Sequence, residues 1–366
     1  MTGPTAADSA HMARALQLAV RGRYTAHPNP LVGCVIVRGE EVVGEGWHER
    51  TGEPHAEVNA LRAAGDKAAG STVYVTLEPC AHHGRTPPCA EALVAAGVAR
   101  VVAAMEDPFG DVAGRGLQRL REAGITVEAG LMQDAAEVLN AGFVSRVRRG
   151  RPRVRLKVAA SLDGATAMDS RESQWITGPA ARRDVQRLRA ASGAVMTGIG
   201  TVLADDPSLI VRDDSIDTAG AQPLRVVLDS SLRMPADAAM LHLPGTTLVC
   251  CTPGHAAAEL EQAGAEVCEF HEHGDGVNVF EVLAALAERE INDVLVEAGP
   301  RLAGYLIEKR LVDELVIYLA PHIMGSETLG MFATPHWLTL ADRQSLELAD
   351  IRRVGSDMRI TARLTG

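Results

Sequence analysis

Short apolar runs exchange with longer amphipathic stretches along most of this chain, and that alternation limits the fold more than any other feature. Strand and helix signals in alternation pack as sheets with helices laid on their faces, an α/β layer architecture. In the first part, residues 9–22 read as a helix capped by Ser9 and ended by Gly22. Strands are expected at 33–38, 42–47, 72–77, 100–105 and near 125–128. Helices are expected at 56–64, at 87–96 (opened by prolines) and near 117–123. The pattern breaks at 146–153, a charge run containing Gly150 and Pro152. It reads as a solvated linker rather than a nucleic-acid patch, and it divides the chain into residues 1–148 and 152–366. Beyond it, strands are expected at 154–160, 194–197, 224–229, 247–251, 294–297 and 314–320. Helices are expected at 179–191, 279–289 and 302–309, and antiparallel strands within 346–364.

Length agrees with two domains, at roughly 150 residues each. Against 47 Asp and Glu stand 36 Lys and Arg, a formal net charge of -11. Such a surplus of acid opposes a broad footprint on nucleic acid, and 3% aromatic residues oppose a base-stacking platform. A local site for one phosphorylated small molecule remains open. No run approaches the ~18 apolar residues of a membrane span. The first ten residues show neither the basic region nor the apolar core of a signal peptide. Six cysteines are too few and too unevenly placed for a secreted disulfide scaffold. A cytoplasmic enzyme without nucleic-acid or membrane partners is expected.

The strongest chemical signal is His55-Ala56-Glu57, followed by Glu78-Pro79-Cys80 and then Cys89. One imidazole and two thiolates make three zinc ligands, which leave a fourth position for water, as catalytic sites do. Zinc lowers the pKa of that water toward ~7. Glu57, two residues from His55, can shuttle its proton without being a ligand. Together these pieces form the His-x-Glu … Pro-Cys … Cys signature of zinc nucleobase deaminases. His55 is expected to open a helix, Cys80 to follow a strand, and Cys89 to lie in the first turn of the next helix, where the dipole favours thiolate. Eight residues separate the cysteines, where the general signature has two, and they bring in His82, His83 and Arg85. These three read either as contacts to a substrate phosphate or ribose or as plain loop residues. Cys34, Cys250 and Cys251 read as core residues. Asn29, in His27-Pro28-Asn29-Pro30, reads either as part of a tight turn or as a hydrogen-bond partner of the substrate.

The second part has no Gly-x-Gly-x-x-Gly after a strand. Ser161-Leu162-Asp163-Gly164, the segment 173–177, Gly198-Ile199-Gly200-Thr201 and Glu297-Ala298-Gly299-Pro300 each look like part of a site. A glycine between strand and helix lets backbone amides meet a phosphate. Read alone, these pieces imply only a phosphate-bearing ligand in an α/β domain.

Taken together the motifs resemble the bifunctional riboflavin-biosynthesis deaminase/reductase family. They comprise 27–35, 53–57, 76–89 with its long inter-cysteine loop, 112–116, 161–164, 172–177, 201–207 and 297–302. The resemblance implies a cytidine-deaminase-like α/β/α domain and a dihydrofolate-reductase-like α/β domain. It implies zinc-dependent removal of an exocyclic amine from a diaminopyrimidine ribosylamine phosphate. NADPH then reduces the ribosyl group to a ribityl chain. It places one zinc on His55, Cys80 and Cys89, with Glu57 as the catalytic proton shuttle. It places NADPH on Ala159, Trp175, Thr201, Asp205, Ser230, Gly299, Pro300, Arg301, Leu302, Ala303, Gly304 and Tyr305. Substrate contacts fall on Ser173, Arg189, Leu209, Arg212 and Glu297, with Asn29, His83, Arg85 and Lys157 as further candidates. Arg171 stands where the family has Gly. A homo-oligomer through the reductase domain is the family expectation. Two other readings remain: a zinc deaminase acting on tRNA or free nucleosides with an accessory second domain, and a zinc-stapled binding protein.

Overall fold

The computed structural model describes residues 4–81, 88–110, 113–170, 172–274, 276–335 and 337–365. The chain divides into two compact units, Met1–Gly150 and Arg151–Gly366. His82, His83, Arg85 and Arg171 fall outside the described residues.

The first unit is a five-stranded sheet among the described residues. Its strands are β1 (Gly33–Arg38), β2 (Glu41–Trp47), β3 (Thr72–Val75), β4 (Arg100–Ala103) and β5 (Thr126–Ala129), in the order β2-β1-β3-β4-β5. β1 runs antiparallel to β2 and β3, while β3, β4 and β5 are parallel. Successive residues of β1 serve opposite faces, as a strand's period of two requires. Cys34 and Ile36 join one core with Ala56, Ala60, Ala90 and Leu93, whereas Val35 and Val37 join another with Met12, Ala15 and Leu18. Helices α2 (Ala56–Ala64), α3 (Cys89–Ala95) and α4 (Arg115–Glu122) supply the first core. Helix α1 (Ala6–Ala19) and Ala136 of α5 (Gln133–Leu139) supply the second, and α6 (Ala141–Arg149) ends the unit.

Two sequence expectations are corrected here. α1 is capped by Thr5, not Ser9. The Thr5 hydroxyl accepts the Asp8 N–H at 3.1 Å and the Asp8 carboxylate accepts the Thr5 N–H at 2.8 Å, a reciprocal capping box. The Ser9 hydroxyl instead donates back to the Thr5 carbonyl at 3.3 Å. The charge run 146–153 is not a solvated linker either. Its first half completes α6, and Gly150 ends that helix with φ +64°. Arg151 then pairs with both Asp313 oxygens at 2.8 and 2.9 Å, Pro152 is buried, and Arg153 opens the next strand beside Asp293.

The second unit carries a nine-stranded sheet in the order β11-β10-β9-β8-β14-β6-β15-β18-β17. In chain order its strands are β6 (Arg153–Ser161), β8 (Ala194–Gly198), β9 (Leu224–Leu228), β10 (Thr247–Cys251), β11 (Ala265–Glu269), β14 (Asp293–Glu297), β15 (Glu314–Ala320), β17 (Ser345–Val354) and β18 (Asp357–Thr365). Short strands β7 (Ala165–Met168) and β16 (Thr328–Gly330) pair with each other, as do β12 (Glu272–His273) and β13 (Gly276–Val277). From β11 through β15 the sheet is parallel, and β18 and β17 close one edge antiparallel. Helices α7 (Pro179–Ala190), α8 (Ile199–Asp205), α9 (Ala258–Gln262), α10 (Val279–Glu288) and α11 (Pro300–Glu308) connect the strands. Apolar clusters cover both faces, one led by Leu156, Val226, Leu283 and Leu306, the other by Val195, Val227, Leu188 and Tyr318.

Candidate active sites

In the first unit two glycines decide where the chemistry sits. A Cβ on Gly44 would lie 2.3 Å from the Ala60 carbonyl oxygen, and one on Gly46 would lie 2.5 Å from that of Ala56. Only a glycine strand lets α2 lie this close, and α2 carries the site: His55 is its N-cap residue and Glu57 lies in its first turn. Cys80 follows β3, and Cys89 is the first residue of α3, with its N–H donated to Cys80 Sγ at 3.3 Å. The loop bearing Cys80 is pinned by Glu78, a residue of the motif to which sequence reasoning assigned no role. Its buried carboxylate accepts the N–H groups of Asp107, Gly114, Gly116 and Leu117. Gly116 must be glycine for this, since a Cβ there would meet the Pro79 oxygen at 1.8 Å.

The donor atoms of His55, Cys80 and Cys89 lie within 4.8 Å of one another. His55 Nδ1 is 3.1 Å from Cys89 Sγ and 3.7 Å from Cys80 Sγ. Tetrahedral zinc with ordinary bond lengths holds nitrogen and sulfur about 3.5 Å apart, so this donor set fits the metal. The Cys89 hydrogen bond, with help from His55, pushes the Cys80 thiol down to about 4, while the same contact and burial push Cys89 up. Glu57 is only 3% exposed, and burial followed by the Cys80 charge raises its carboxyl to about 7. A carboxyl near neutrality can both take and give a proton.

Asn29 reaches the site through a second missed residue, His48. The Asn29 amide Nδ2 lies 3.0 Å from His48 Nε2, and an amide nitrogen can only donate, so Nε2 accepts. Nδ1–H then points to the Pro54 carbonyl at 3.3 Å. The ring is buried, which lowers its pKa and keeps it neutral, and it stands edge-on to His55 with centroids 5.5 Å apart. Asn29 is left with Oδ1 as the group that can accept from a ligand. His48 follows β2 outside any periodic pattern, so no sequence signal marked it.

In the second unit the expected residues gather along the ends of the parallel strands, where open α/β sheets bind ligands. Ala159 and Lys157 lie on β6, Thr201 and Asp205 on α8 after β8, Ser230 just past β9, and Glu297 ends β14. The turns after β8 and β14 face each other: a Cβ on Gly299 would lie 4.0 Å from Thr201 Oγ1, and one on Gly198 would lie 3.7 Å from Leu302. Gly299, Pro300, Arg301, Leu302 and Tyr305 keep surface, whereas Ala303 is buried and Gly304 packs on the Ala333 backbone. Two buried polar atoms, Thr197 Oγ1 and Asp229 Oδ1, have no hydrogen-bond partner among the described residues, and both sit at strand ends on this edge. A nucleotide bound there fits that pattern.

Arg189 is committed inside the protein. Its Nε and Nη2 bind the two Glu297 oxygens at 2.6 and 3.1 Å and its Nη1 binds the Ile210 carbonyl at 2.9 Å. Lys157 Nζ stands 3.7 Å from Glu297. Burial alone would raise the Glu297 carboxyl, but the charges of Arg189 and Lys157 outweigh it and leave it at about 2. Arg212 is exposed, and Leu209 is buried with φ +48°. The Ser173 hydroxyl bonds Asp205 at 3.1 Å, and Trp175, 64% exposed, carries Arg182 over its ring at 4.8 Å.

A His/Cys/Cys donor set beside a buried carboxylate fits a zinc-dependent deaminase, and the parallel sheet of the second unit fits a nucleotide-binding domain. Comparison with known proteins agrees. Residues 5–105 match the cytidine and deoxycytidylate deaminase zinc-binding region, and residues 152–360 match the RibD C-terminal domain. The chain is 52% identical to the riboflavin biosynthesis protein RibD of Escherichia coli over 360 residues, covering 96% of this chain and 98% of that one. It superposes on Acinetobacter baumannii RibD with a TM-score of 0.92 at 47% identity, covering 98% and 99% of the two chains. A Thermotoga maritima diaminohydroxyphosphoribosylaminopyrimidine deaminase/5-amino-6-(5-phosphoribosylamino)uracil reductase superposes with a TM-score of 0.85 at 30% identity, covering 98% and 99%. The chain belongs to the RibD family of bifunctional riboflavin-biosynthesis enzymes, and it has the deaminase and reductase domains of that family.

Proposed function

We propose that the first unit hydrolyses the exocyclic amine of 2,5-diamino-6-(5-phosphoribosylamino)pyrimidin-4-one, and that the second reduces the resulting ribosyl group with NADPH to give 5-amino-6-(5-phosphoribitylamino)uracil. The observation that carries this reading is the convergence of His55, Cys80 and Cys89 beside the buried carboxyl of Glu57. His55, Cys80 and Cys89 would hold a zinc ion, which would supply an activated water at neutral pH. Glu57 takes the proton from the attacking water and delivers it to the leaving amine. Asn29, oriented by His48, accepts from the pyrimidine or sugar. His83 and Arg85 belong to the loop between the cysteines and are assigned to the substrate phosphate.

In the second unit Ala159, Trp175, Thr201, Asp205, Ser230 and residues 299–305 are the NADPH contacts. The nine-residue helix α11 presents its N-terminus to phosphate. Hydride chemistry belongs to the cofactor, so the protein's task is placement. Ser173, Leu209 and Arg212 hold the substrate, and Arg212 is the cation for its phosphate. Arg189 and Lys157 fix the Glu297 carboxylate, which accepts from substrate hydroxyls.

The test is product analysis. Ammonia release and NADPH consumption are expected with the diaminopyrimidine phosphate and not with cytidine or with adenosine in RNA. Deamination of either of those two in preference would overturn the assignment.

We further infer a homo-oligomer through the second unit and a cytoplasmic location. β17 is an open sheet edge that leaves Leu346, Leu348 and Ile351 exposed at 44, 59 and 53%, a feature that monomers avoid and a second copy can cover. None of the six cysteines is in a disulfide, which fits a reducing compartment, and no helix among the described residues is long and apolar enough to cross a membrane. Light scattering should report a dimer or larger for the native chain and a smaller species for Leu348→Lys. An unchanged mass in the variant would contradict this interface.

A further inference from the structure

NADPH and NADH differ by one phosphate, on the 2′-oxygen of the adenosine ribose. The contacts assigned so far, Ser230 apart, are placed to bind what the two share. The residues that follow β9 supply what distinguishes them. There the chain turns back on itself: the Leu232 N–H bonds the Asp229 carbonyl at 3.2 Å, and Leu232 has φ +47°. Ser230 and Ser231 form the turn, and Arg233 follows it. The next strand secures it, because the Thr252 N–H and hydroxyl both bond the Ser230 carbonyl, at 3.1 and 2.8 Å. Exposed His255 lies 3.4 Å from that Thr252 hydroxyl. Two serine hydroxyls, an arginine and a histidine are thus presented at neighbouring strand ends, a set suited to an exposed phosphate.

Asp229 supplies the independent observation. It is 0% exposed. Its Oδ2 accepts the Met234 N–H at 2.8 Å, but its Oδ1 has no hydrogen-bond partner among the described residues. A buried carboxylate oxygen left this way carries a desolvation cost. The cation paired with it is Arg233, whose Nε stands 4.0 Å from Oδ1 and whose side chain is 58% exposed. A pair that long and that wet adds little stability. It leaves the terminal nitrogens of Arg233, which have no partner among the described residues, available to an anion.

The location fits as well. β9 lies two strands from β14, so its end is about 10 Å from the Gly299 turn at ~4.8 Å per strand. A nucleotide with its pyrophosphate at α11 can extend its adenosine along the strand ends toward β9.

We propose that Arg233, steered by Asp229 and joined by Ser230 and Ser231, binds the 2′-phosphate and makes this enzyme select NADPH over NADH. The proposal rests on the NADPH reading above. Calorimetric titration with 2′,5′-ADP and with 5′-ADP tests it without turnover, on the full chain and on Arg233→Ala. The native chain should bind 2′,5′-ADP the more tightly. Arg233→Ala should lose about tenfold or more on 2′,5′-ADP, keep its affinity for 5′-ADP, and raise KM for NADPH with kcat unchanged. Arg233→Lys should recover part of the loss. Unchanged 2′,5′-ADP binding in Arg233→Ala would overturn the proposal, and so would an equal loss of both nucleotides, which would make Arg233 a structural residue. If the native chain binds the two nucleotides equally and uses NADH as readily as NADPH, the NADPH reading itself falls.

Discussion

The two units build their sites in opposite ways. In the first, every proposed metal ligand lies within 35 residues of chain, on the start of one helix, the end of one strand and the start of the next helix. Cys89 and Glu57 are buried and His55 and Cys80 half-buried, and glycines at 44, 46 and 116 hold the supporting backbone in near contact. In the second, the proposed contacts come from residues 157 to 305 and from the ends of four parallel strands, and many keep surface. Beneath them Arg189 and Lys157 pair with Glu297, with little surface left to any of the three. Attack of one activated water on the carbon bearing an exocyclic amine needs a compact centre. Placing a dinucleotide against a phosphorylated sugar needs a long shallow edge.

That contrast can be broken in order of expected effect. Cys89→Ser should remove zinc, measured by metal analysis, and abolish ammonia release by more than about a thousandfold, while reduction of the deaminated intermediate persists. Lost reduction would show that the units are not independent. Glu57→Gln should keep the metal and lower deamination by about 10²–10⁴-fold, the usual worth of a general acid–base group. An unaltered rate in a zinc-loaded sample would end the proton-shuttle assignment.

In the second unit, Arg189→Met leaves Glu297 buried with Lys157 alone. Breaking such a pair costs about 3–5 kcal/mol. Thermal unfolding should show the loss in the reductase unit, with deamination unchanged. The acid limb gives the smallest effect. The Glu297 carboxyl is depressed to about 2 from 4.5, so its contribution to stability is complete above pH 4.5 and is lost as pH falls toward 2. Between pH 5 and 3, Glu297→Gln should therefore flatten the fall in melting temperature. An equally steep fall would mean that other carboxylates control it.

The same contrast explains what the sequence revealed. His55, Glu57, Cys80 and Cys89 were legible because their spacing is fixed by local geometry, and the alternation of apolar runs located most strands to within a residue or two. The cap of α1 was misread because Ser9 and Thr5 are both capping types, and only the reciprocal Asp8 bond decides between them. The 146–153 run misled because two of its five cations, Arg151 and Arg153, are matched by Asp313 and Asp293, about 150 residues away. The role of Glu78 and the presence of His48 in the site went unread for a similar reason: their partners are backbone groups or distant loops with no periodicity. In the second unit single motifs were weak, since what joins them is sheet order, and it took the family resemblance to assemble them.

The most direct test of the account is a coupled assay that follows NADPH absorbance with the diaminopyrimidine phosphate, with and without a zinc chelator. Chelator should stop NADPH consumption from that substrate and leave consumption intact when the deaminated intermediate is supplied. Continued consumption from the diaminopyrimidine in fully chelated enzyme would contradict the account.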